Sequence, residues 1–266
     1  MTGSGNDFVF VDGRATPGDA WTPDRIRWVC SRQMGVGADG LVVLEPGSTP
    51  ASVRLHYFNN DGVRAALCGN ASLCAARLSV WLELAPADGV VLETDAGPVR
   101  ARCLPGASEL AEITLCGVSG IGTPALKLES HEKWARFVTV GVPHLVVLVD
   151  HNLSEINVAS RGRALRQHPA LKPDGANVSF VASVGDAWAF RTYERGVEAE
   201  TLACGTGSVA VATVLSEAGL AKLPVKLRTA SGCTLTVSGS AIPGSGIENV
   251  RLVGEGRLVF RAILGL

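Results

Sequence analysis

The sequence predicts an α+β protein built of two similar lobes, and two observations carry this prediction. First, a cysteine followed by glycine stands directly before a run of small and apolar residues at two places, Cys68 and Cys204. Each run, residues 71–85 and 208–218, has the composition of a buried helix. Second, short apolar segments broken by glycine and proline surround both runs, as strands would. One module used twice explains both observations.

The first lobe is predicted to span residues 1–115 together with 255–266. Residues 3–13 read as a polar turn that passes into a strand, which makes Asn6 and Asp7 loop residues. Thr22 and Pro23 are typical of a helix start, so a helix is expected over 23–34. A glycine-rich turn then leads into a strand within residues 35–44. Further strands of this lobe are predicted at residues 53–58, 90–94, 98–103 and 110–115.

The second lobe is predicted to span residues 116–254 and to repeat the same order of elements. A helix is expected over residues 153–166, before the helix that follows Cys204 and ends at Gly219. The last run, residues 257–264, is expected to return to the first lobe. Strands of the second lobe are predicted at residues 136–140, 145–149, 176–182, 187–193, 225–228, 234–238 and 250–253.

Composition restricts the class of protein and of partner. The 266 residues are 47% hydrophobic and 18% charged, which favours a globular chain, and 31 glycines indicate many tight turns. A net charge of −1 argues against nucleic acid and anionic membranes as partners, so a small molecule is expected. The sequence shows no signal peptide and no apolar run long enough to span a membrane, which predicts a cytoplasmic protein. The seven cysteines are therefore expected to be reduced thiols, and no spacing suggests zinc.

The two cysteines at helix starts point to proton-transfer chemistry. Unpaired N–H groups and the positive end of the helix dipole favour a thiolate at such a position. Two such thiols suit inversion of a carbon, in which one removes a proton and the other supplies one to the opposite face. Backbone N–H groups of Gly69, Asn70, Gly205 and Thr206 are candidate donors to the developing negative charge. No nucleotide-binding motif or Schiff-base lysine is recognisable, so a cofactor-free reaction is predicted.

Ordinary structural roles compete with these functional ones. The other five cysteines fit small buried side chains. Glu194 and Arg195 also fit an ion pair at the end of a strand, and His144 fits a core or turn histidine. Asn6, Asn59 and Asn177 fit turn residues.

Motifs along nearly the whole chain resemble the diaminopimelate epimerase family, which uses two cysteines and no cofactor. Each motif is short, and their order and spacing together are specific. The matching segments are Gly5-Asn6-Asp7-Phe8, Gly35-Val36-Gly37-Ala38-Asp39-Gly40, Phe58-Asn59-Asn60-Asp61-Gly62, Cys68-Gly69-Asn70, Pro143-His144, Ala176-Asn177-Val178, Tyr193-Glu194-Arg195-Gly196 and Glu200-Thr201-Leu202-Ala203-Cys204-Gly205-Thr206-Gly207.

The resemblance implies epimerisation of LL-2,6-diaminopimelate to the meso form, without pyridoxal phosphate, for lysine and cell-wall precursor biosynthesis. It implies two pseudo-symmetric lobes, each a mostly antiparallel β-barrel-like sheet around a central helix, in a homodimer. Cys68 and Cys204 would be the catalytic acid/bases, with His144 and Glu194 setting their protonation. The substrate's reacting end would bind at Gly69, Asn70, Gly205 and Thr206, and its far end at Asn6, Asn59, Asn177, Glu194 and Arg195.

Other functions remain open on the sequence. Leu73 and Val142 stand where the family generally has arginine and some members have asparagine, which motivates a racemase or epimerase of another amino acid. A catalytically impaired homologue that only binds ligand is a second alternative. A cysteine hydrolase is a third, although it would leave one of the two thiols without a role.

Overall fold

The protein folds into two compact units, residues Met1–Thr114 with Val253–Leu266, and residues Leu115–Leu252. The structure is a computed structural model that describes residues 1–242 and 244–265. The observed limits lie within two residues of the predicted lobe boundaries. Pro243 of the predicted second lobe and Leu266 of the predicted first lobe lie outside the described residues.

The first unit is a mixed sheet with two helices. The elements are β1 (Thr2–Gly3), β2 (Asn6–Asp12), α1 (Pro23–Cys30), β3 (Gly40–Pro46), β4 (Ser52–Asn59), β5 (Arg64–Ala65), α2 (Gly69–Trp81), β6 (Val90–Thr94), β7 (Gly97–Cys103) and β8 (Leu110–Thr114). Strands β2, β3, β4, β6, β7 and β8 follow one another in the sheet, and the β2–β3 and β4–β6 pairs are parallel while the other neighbours are antiparallel.

The second unit repeats this arrangement. The elements are β9 (Ser119–Gly122), β10 (Glu132–Val140), β11 (Val142–Val149), α3 (Val158–Arg166), β12 (Asn177–Val184), β13 (Ala187–Glu194), β14 (Ala199–Thr201), α4 (Gly205–Glu217), β15 (Val225–Arg228), β16 (Thr234–Ile242) and β17 (Gly246–Glu255). The last three residues of β17, from Val253, belong to the first unit. The β11–β12 and β13–β15 pairs are parallel, and the strands beside them are antiparallel.

Helices α2 and α4 are the buried helices of their units. Each has thirteen residues, of which ten are buried, so neither has a polar face turned to solvent. Alanine, glycine and serine dominate both helices, and their small side chains let the surrounding strands approach closely. Helices α1 and α3 pack against their sheets in cores that include Ile26 with Leu41, and Leu165 with Phe180. The α+β prediction is confirmed.

Four local predictions were wrong at their limits. Asn6 and Asp7 lie in strand β2, because the chain reverses at Ser4 and Gly5 and Thr2–Gly3 pairs back onto them. Helix α1 ends at Cys30, four residues early, where the chain turns and the Val36 N–H donates to the Val29 carbonyl.

The other two differences concern the remaining helices. Both cysteine helices begin earlier than predicted, at Gly69 and Gly205, directly after the cysteines, and the first one ends at Trp81, four residues before its predicted end at residue 85. The predicted helix over residues 153–166 divides into a 3-10 turn at Leu153–Glu155 and helix α3. The Asn157 side chain accepts the N–H of Ser160 at 3.1 Å and so starts a new helix there.

Candidate active site

Cys68 and Cys204 occupy the same backbone position in the two units. Each is the N-cap of its helix, with φ −133° and ψ 119° at Cys68 and φ −129° and ψ 112° at Cys204. The carbonyl of each accepts the N–H of a serine four residues later, Ser72 and Ser208, at 2.9 Å. In both helices, a cysteine therefore directly precedes the first-turn N–H groups that have no acceptor within the helix.

The Cys204 thiol lies in a closely packed pocket of backbone and side chains. Its side chain is 7% exposed, and its Sγ accepts the N–H of Gly207 at 3.3 Å. The Thr206 hydroxyl lies 3.7 Å from the same sulfur. A Cβ on Gly207 would stand only 3.1 Å from Sγ, so a larger residue there would push the sulfur away from its present position.

The thiolate predicted from the helix start is wrong for Cys204 in the free protein. Burial raises the pKa of its thiol well above the usual value, and the negative charge of Glu194 raises it further. The bonds from Thr206 and Gly207 lower the pKa without offsetting these effects. Cys204 is therefore a thiol at neutral pH, and the Glu194 carboxylate beside it is held by the Thr201 hydroxyl at 2.6 Å.

His144 lies within strand β11 and is completely buried. Among the described residues neither ring nitrogen has a hydrogen-bond partner. Burial lowers the pKa of His144 to about 3, with a further contribution from the positive charge of Arg195. The imidazole is thus neutral at physiological pH.

Arg195 follows strand β13 in a turn that several side chains hold. Its backbone N–H donates to the Asn177 Oδ1 at 2.7 Å, and Asn177 stands opposite His144 in the parallel pair β11–β12. The Glu198 carboxylate accepts the N–H of Gly196 at 3.1 Å, and Glu198 itself has a positive φ of 56°. These bonds therefore fix the backbone position from which the Arg195 side chain extends.

Asn6 and Asn59 lie at the same end of the first unit's sheet, and Asn6 contacts Asn70. Phe8 pairs with Gly40, and Gly40 pairs with Asn59, so the residues beside Asn6 and Asn59 share one edge. The Asn70 Nδ2 donates to the Asn6 Oδ1 at 2.7 Å, which links this edge to the first turn of the Cys68 helix. Two of the predicted residues of the first unit, Asn6 and Asn70, are therefore joined directly.

The structure adds residues that sequence reasoning did not select. Thr201 bonds Glu194, Glu198 holds the Arg195 turn, and Asp39 binds Asn6. Thr201 and Asp39 lie within motifs that the sequence analysis had already selected, and this position could have identified them. Glu198 lies between two motifs, so no feature of the sequence pointed to it.

Within the described ranges, one group of three side chains brings possible metal-ligand atoms within 4.8 Å of one another, Glu129, His131 and Glu132. Both carboxylate oxygens of Glu132 are bound by the Arg161 guanidinium, at 2.8 Å and 2.6 Å. The group is better explained as an ion-pair cluster. All seven cysteines are free thiols. None of the helices in residues 1–242 and 244–265 is long and apolar enough to cross a membrane.

Comparison with known sequences gives a consistent result. A profile of the family described as "Diaminopimelate epimerase" matches residues 1–112 and 136–241. A diaminopimelate epimerase of Gemmatimonas aurantiaca is 45% identical over 100% of this chain and 98% of its own length. One from Aquifex aeolicus is 37% identical over 99% of this chain and 96% of its own length.

Solved structures share the fold. A phenazine biosynthesis protein of the PhzF family from Bacillus anthracis matches with a TM-score of 0.71 at 13% identity, over 96% of this chain and 92% of its own. A predicted epimerase from Pseudomonas aeruginosa matches with a TM-score of 0.68 at 22% identity, over 98% and 94%. At these identities the structures show a common fold alone.

Proposed function

We propose that this chain, which belongs to the diaminopimelate epimerase family, inverts one α-carbon of LL-2,6-diaminopimelate to give the meso form by a two-base mechanism. The observation that carries the proposal is the matched pair of helix starts, each with a cysteine at the N-cap. One thiolate takes the α-proton and becomes a thiol. The other thiol gives its proton to the opposite face of the carbon and becomes the thiolate. Protons and charge balance, and the reverse reaction uses the same groups in exchanged roles.

The helix starts are suited to the negative charge that this step creates. Loss of the α-proton places charge on the substrate's carboxylate oxygens. The N–H groups of Gly69, Asn70, Gly205 and Thr206 lie in the first turns of α2 and α4, where intrahelical acceptors are lacking. We assign the α-carboxylate to these donors, which would stabilise the carbanion as an oxyanion hole does.

The raised pKa of Cys204 defines what the neighbouring residues must do. Burial and Glu194 keep this thiol protonated in the free protein, so it begins as the proton donor. To act as a base it must first lose its proton, and Glu194 lies beside it as a possible acceptor. His144, with a pKa of about 3, acts as a neutral imidazole. We propose that these two residues set the protonation of the thiol.

We assign the far end of the substrate to Arg195 and the asparagines. A guanidinium binds a carboxylate through two parallel hydrogen bonds, which suits the far carboxylate. Asn177 already uses its Oδ1 to hold the Arg195 backbone, so part of its role is to place that arginine. Asn6, Asn59 and Glu194 supply groups that accept hydrogen bonds from the far ammonium.

The test is incubation of reduced protein with LL-diaminopimelate in deuterated water, followed by mass spectrometry and chiral separation. We expect solvent deuterium at the inverted carbon. Cys68→Ser and Cys204→Ser should each lose nearly all epimerisation, while Cys116→Ser, at an exposed cysteine, should retain it. Well-folded protein that neither exchanges nor inverts would exclude the proposal. Full activity of either active-site variant would exclude the two-base mechanism.

A second experiment separates this substrate from other amino acids. Arg195→Lys should raise KM for the dicarboxylate, since lysine cannot bind a carboxylate through a planar fork. Equal turnover of a monocarboxylate amino acid by the unmodified protein would instead favour a different racemase. Because two thiols suffice for proton transfer, we also propose that no cofactor takes part. Activity should then survive dialysis against a chelator and treatment with hydroxylamine.

We further propose that the protein acts in the cytoplasm as a homodimer, as the family resemblance implies. Seven free cysteines suit a reducing compartment. Light scattering of the purified protein tests the dimer, and a mass equal to one chain at micromolar concentration would contradict it.

A further inference from the structure

We infer that Arg32 and Asp39 are positioning residues, which fix the side-chain amides of Asn6 and Asn70 beside Cys68. Asp39 enters the site described above only through its bond to Asn6, and Arg32 was not part of that site. They act through a chain of hydrogen bonds within the first unit. The inference rests on the proposed function, because its main consequence is measured in the epimerase reaction.

The chain of bonds begins at the protein surface. The Arg32 guanidinium binds Asp7 through both carboxylate oxygens, at 2.8 Å and 2.9 Å. Its Nη2 also donates to the Asp39 Oδ1 at 2.7 Å. One arginine therefore holds two carboxylates, and the Asp39 backbone N–H donates to the Asp7 Oδ1 at 3.0 Å to close the group.

The bonds then lead inward to the helix start. The Asn6 Nδ2 donates to the second oxygen of Asp39, at 2.9 Å. The Asn6 Oδ1 accepts the Nδ2 of Asn70, at 2.7 Å. Asn70 is 3% exposed and is the second residue of α2, two positions after Cys68. A charge at the surface is thus connected to a buried amide beside the reactive thiol.

The charge of Asp39 determines the direction of both amides. A carboxylate only accepts hydrogen bonds, so it selects the NH₂ end of Asn6. The Asn6 oxygen must then point to Asn70, and it selects the NH₂ end of that side chain in turn. Asp7, the other carboxylate that Arg32 binds, is ionised as well. Burial raises the pKa of Asp7, but the hydrogen bonds and the charge of Arg32 outweigh burial, so the pKa of Asp7 is lowered. Without the charge on Asp39, the hydrogen bond to Asn6 no longer selects one end of the Asn6 amide.

A stability role explains the network less well. The Arg32 side chain is 60% exposed and the side chains of Asp7 and Asp39 are 40% and 36% exposed. Ion pairs exposed to this degree contribute only about 0–1 kcal/mol to folding. The orientation of Asn6 and Asn70 is the property that the charged group affects most.

The experiment is a double-mutant cycle on kcat/KM for LL-diaminopimelate, with thermal unfolding measured on each protein. Asp39→Asn removes the charge and keeps the shape, and we expect kcat/KM to fall about 10- to 100-fold, the effect of losing a charge-assisted hydrogen bond. In an Asn6→Ala background the same change should cost less than about 3-fold, because Asp39 acts through Asn6. The control is Asp12→Asn, at an exposed carboxylate paired with Arg14, which should leave kcat/KM unchanged.

A second variant keeps the test decisive if Asp39→Asn does not fold. Arg32→Gln changes an exposed side chain, and it should lower kcat/KM with little change in melting temperature. Arg32→Lys should restore part of the loss, since lysine keeps the charge and lacks the fork. Losses that add in the double variant, or activity within about 2-fold of the unmodified protein in both single variants, would overturn the inference.

One readout does not depend on the reaction. The side-chain amide resonances of Asn6 and Asn70 should shift or broaden in Asp39→Asn and stay in place in Asp12→Asn. If the unmodified protein failed to turn over diaminopimelate, the proposed function would fail while this measurement still tested the network. Unchanged resonances in Asp39→Asn would reject the network itself.

Discussion

The neutral, buried imidazole of His144 leads to a quantitative prediction about stability and pH. The perturbation is His144→Gln, which replaces the histidine by a polar side chain that does not titrate. In the unfolded chain the histidine has a pKa of 6.5, and in the folded protein burial lowers it to about 3. As the pH falls below 6.5, the unfolded state takes up a proton and the folded state does not. Acid therefore favours unfolding until the pH approaches about 3.

The magnitude follows from the distance between the two pKa values. One pKa unit corresponds to about 1.4 kcal/mol, so two units of acidification below the unfolded-state pKa cost about 3 kcal/mol of unfolding free energy. Going from about pH 8 to about pH 4.5 should thus destabilise the unmodified protein by about 3 kcal/mol more than the variant. Carboxylates also contribute to acid unfolding, but they are the same in both proteins and cancel in the difference.

Urea unfolding followed by tryptophan fluorescence measures the free energy at each pH. The expected result is a difference between the two proteins that changes with pH in the direction given above. Both proteins losing the same free energy between the two pH values would refute the reasoning, since His144 would then titrate alike in the folded and unfolded states. A loss that is larger in His144→Gln would give the opposite sign and would refute it as well.

Three further predictions follow from other contacts. Arg161→Ala leaves the fully buried carboxylate of Glu132 without its partner and should lower the unfolding free energy by about 3–5 kcal/mol, whereas Arg102→Ala, at an exposed pair, should cost less than about 1 kcal/mol by urea unfolding. Gly207→Ala should reduce kcat about 10-fold or more without lowering the melting temperature, because the added Cβ displaces the Cys204 sulfur; unchanged kinetics would contradict this. Alkylation of Cys204 by iodoacetamide, followed by mass spectrometry, should be slow at pH 7 and rise steeply above pH 9, since burial and a carboxylate raise its pKa; fast labelling at pH 7 would indicate a thiolate.

Local sequence was sufficient to predict the elements whose limits depend only on the residues directly around them. The strands Val90–Thr94 and Val225–Arg228 have the predicted limits, since Gly89 and Pro224 stand directly before two short segments of strand-forming composition. Both cysteines were placed at helix starts because a small-residue run directly follows each one. The order of motifs along the chain was likewise enough to indicate the family.

Prediction failed where distant residues decide the local structure. Asn6 and Asp7 have the composition of a turn, yet they form a strand because Thr2 and Gly3 fold back and pair with them. Helix α1 stops at Cys30 because Ser31 takes an extended conformation, although the residues after it are compatible with a helix. Propensity is a weak preference, and pairing with another segment overrides it.

The sequence alone indicated which side chains we propose for the chemistry: two cysteines at helix starts, an arginine after a strand, and asparagines at strand ends. Only the tertiary structure decided their chemical state. Cys204 is a thiol because the fold buries it next to Glu194, and His144 is neutral because the fold surrounds it completely. Asn6 points as it does because Asp39 and Arg32, far along the chain, hold its amide. Ionisation and hydrogen-bond direction depend on solvent exclusion and on neighbours in space, and a linear pattern contains neither.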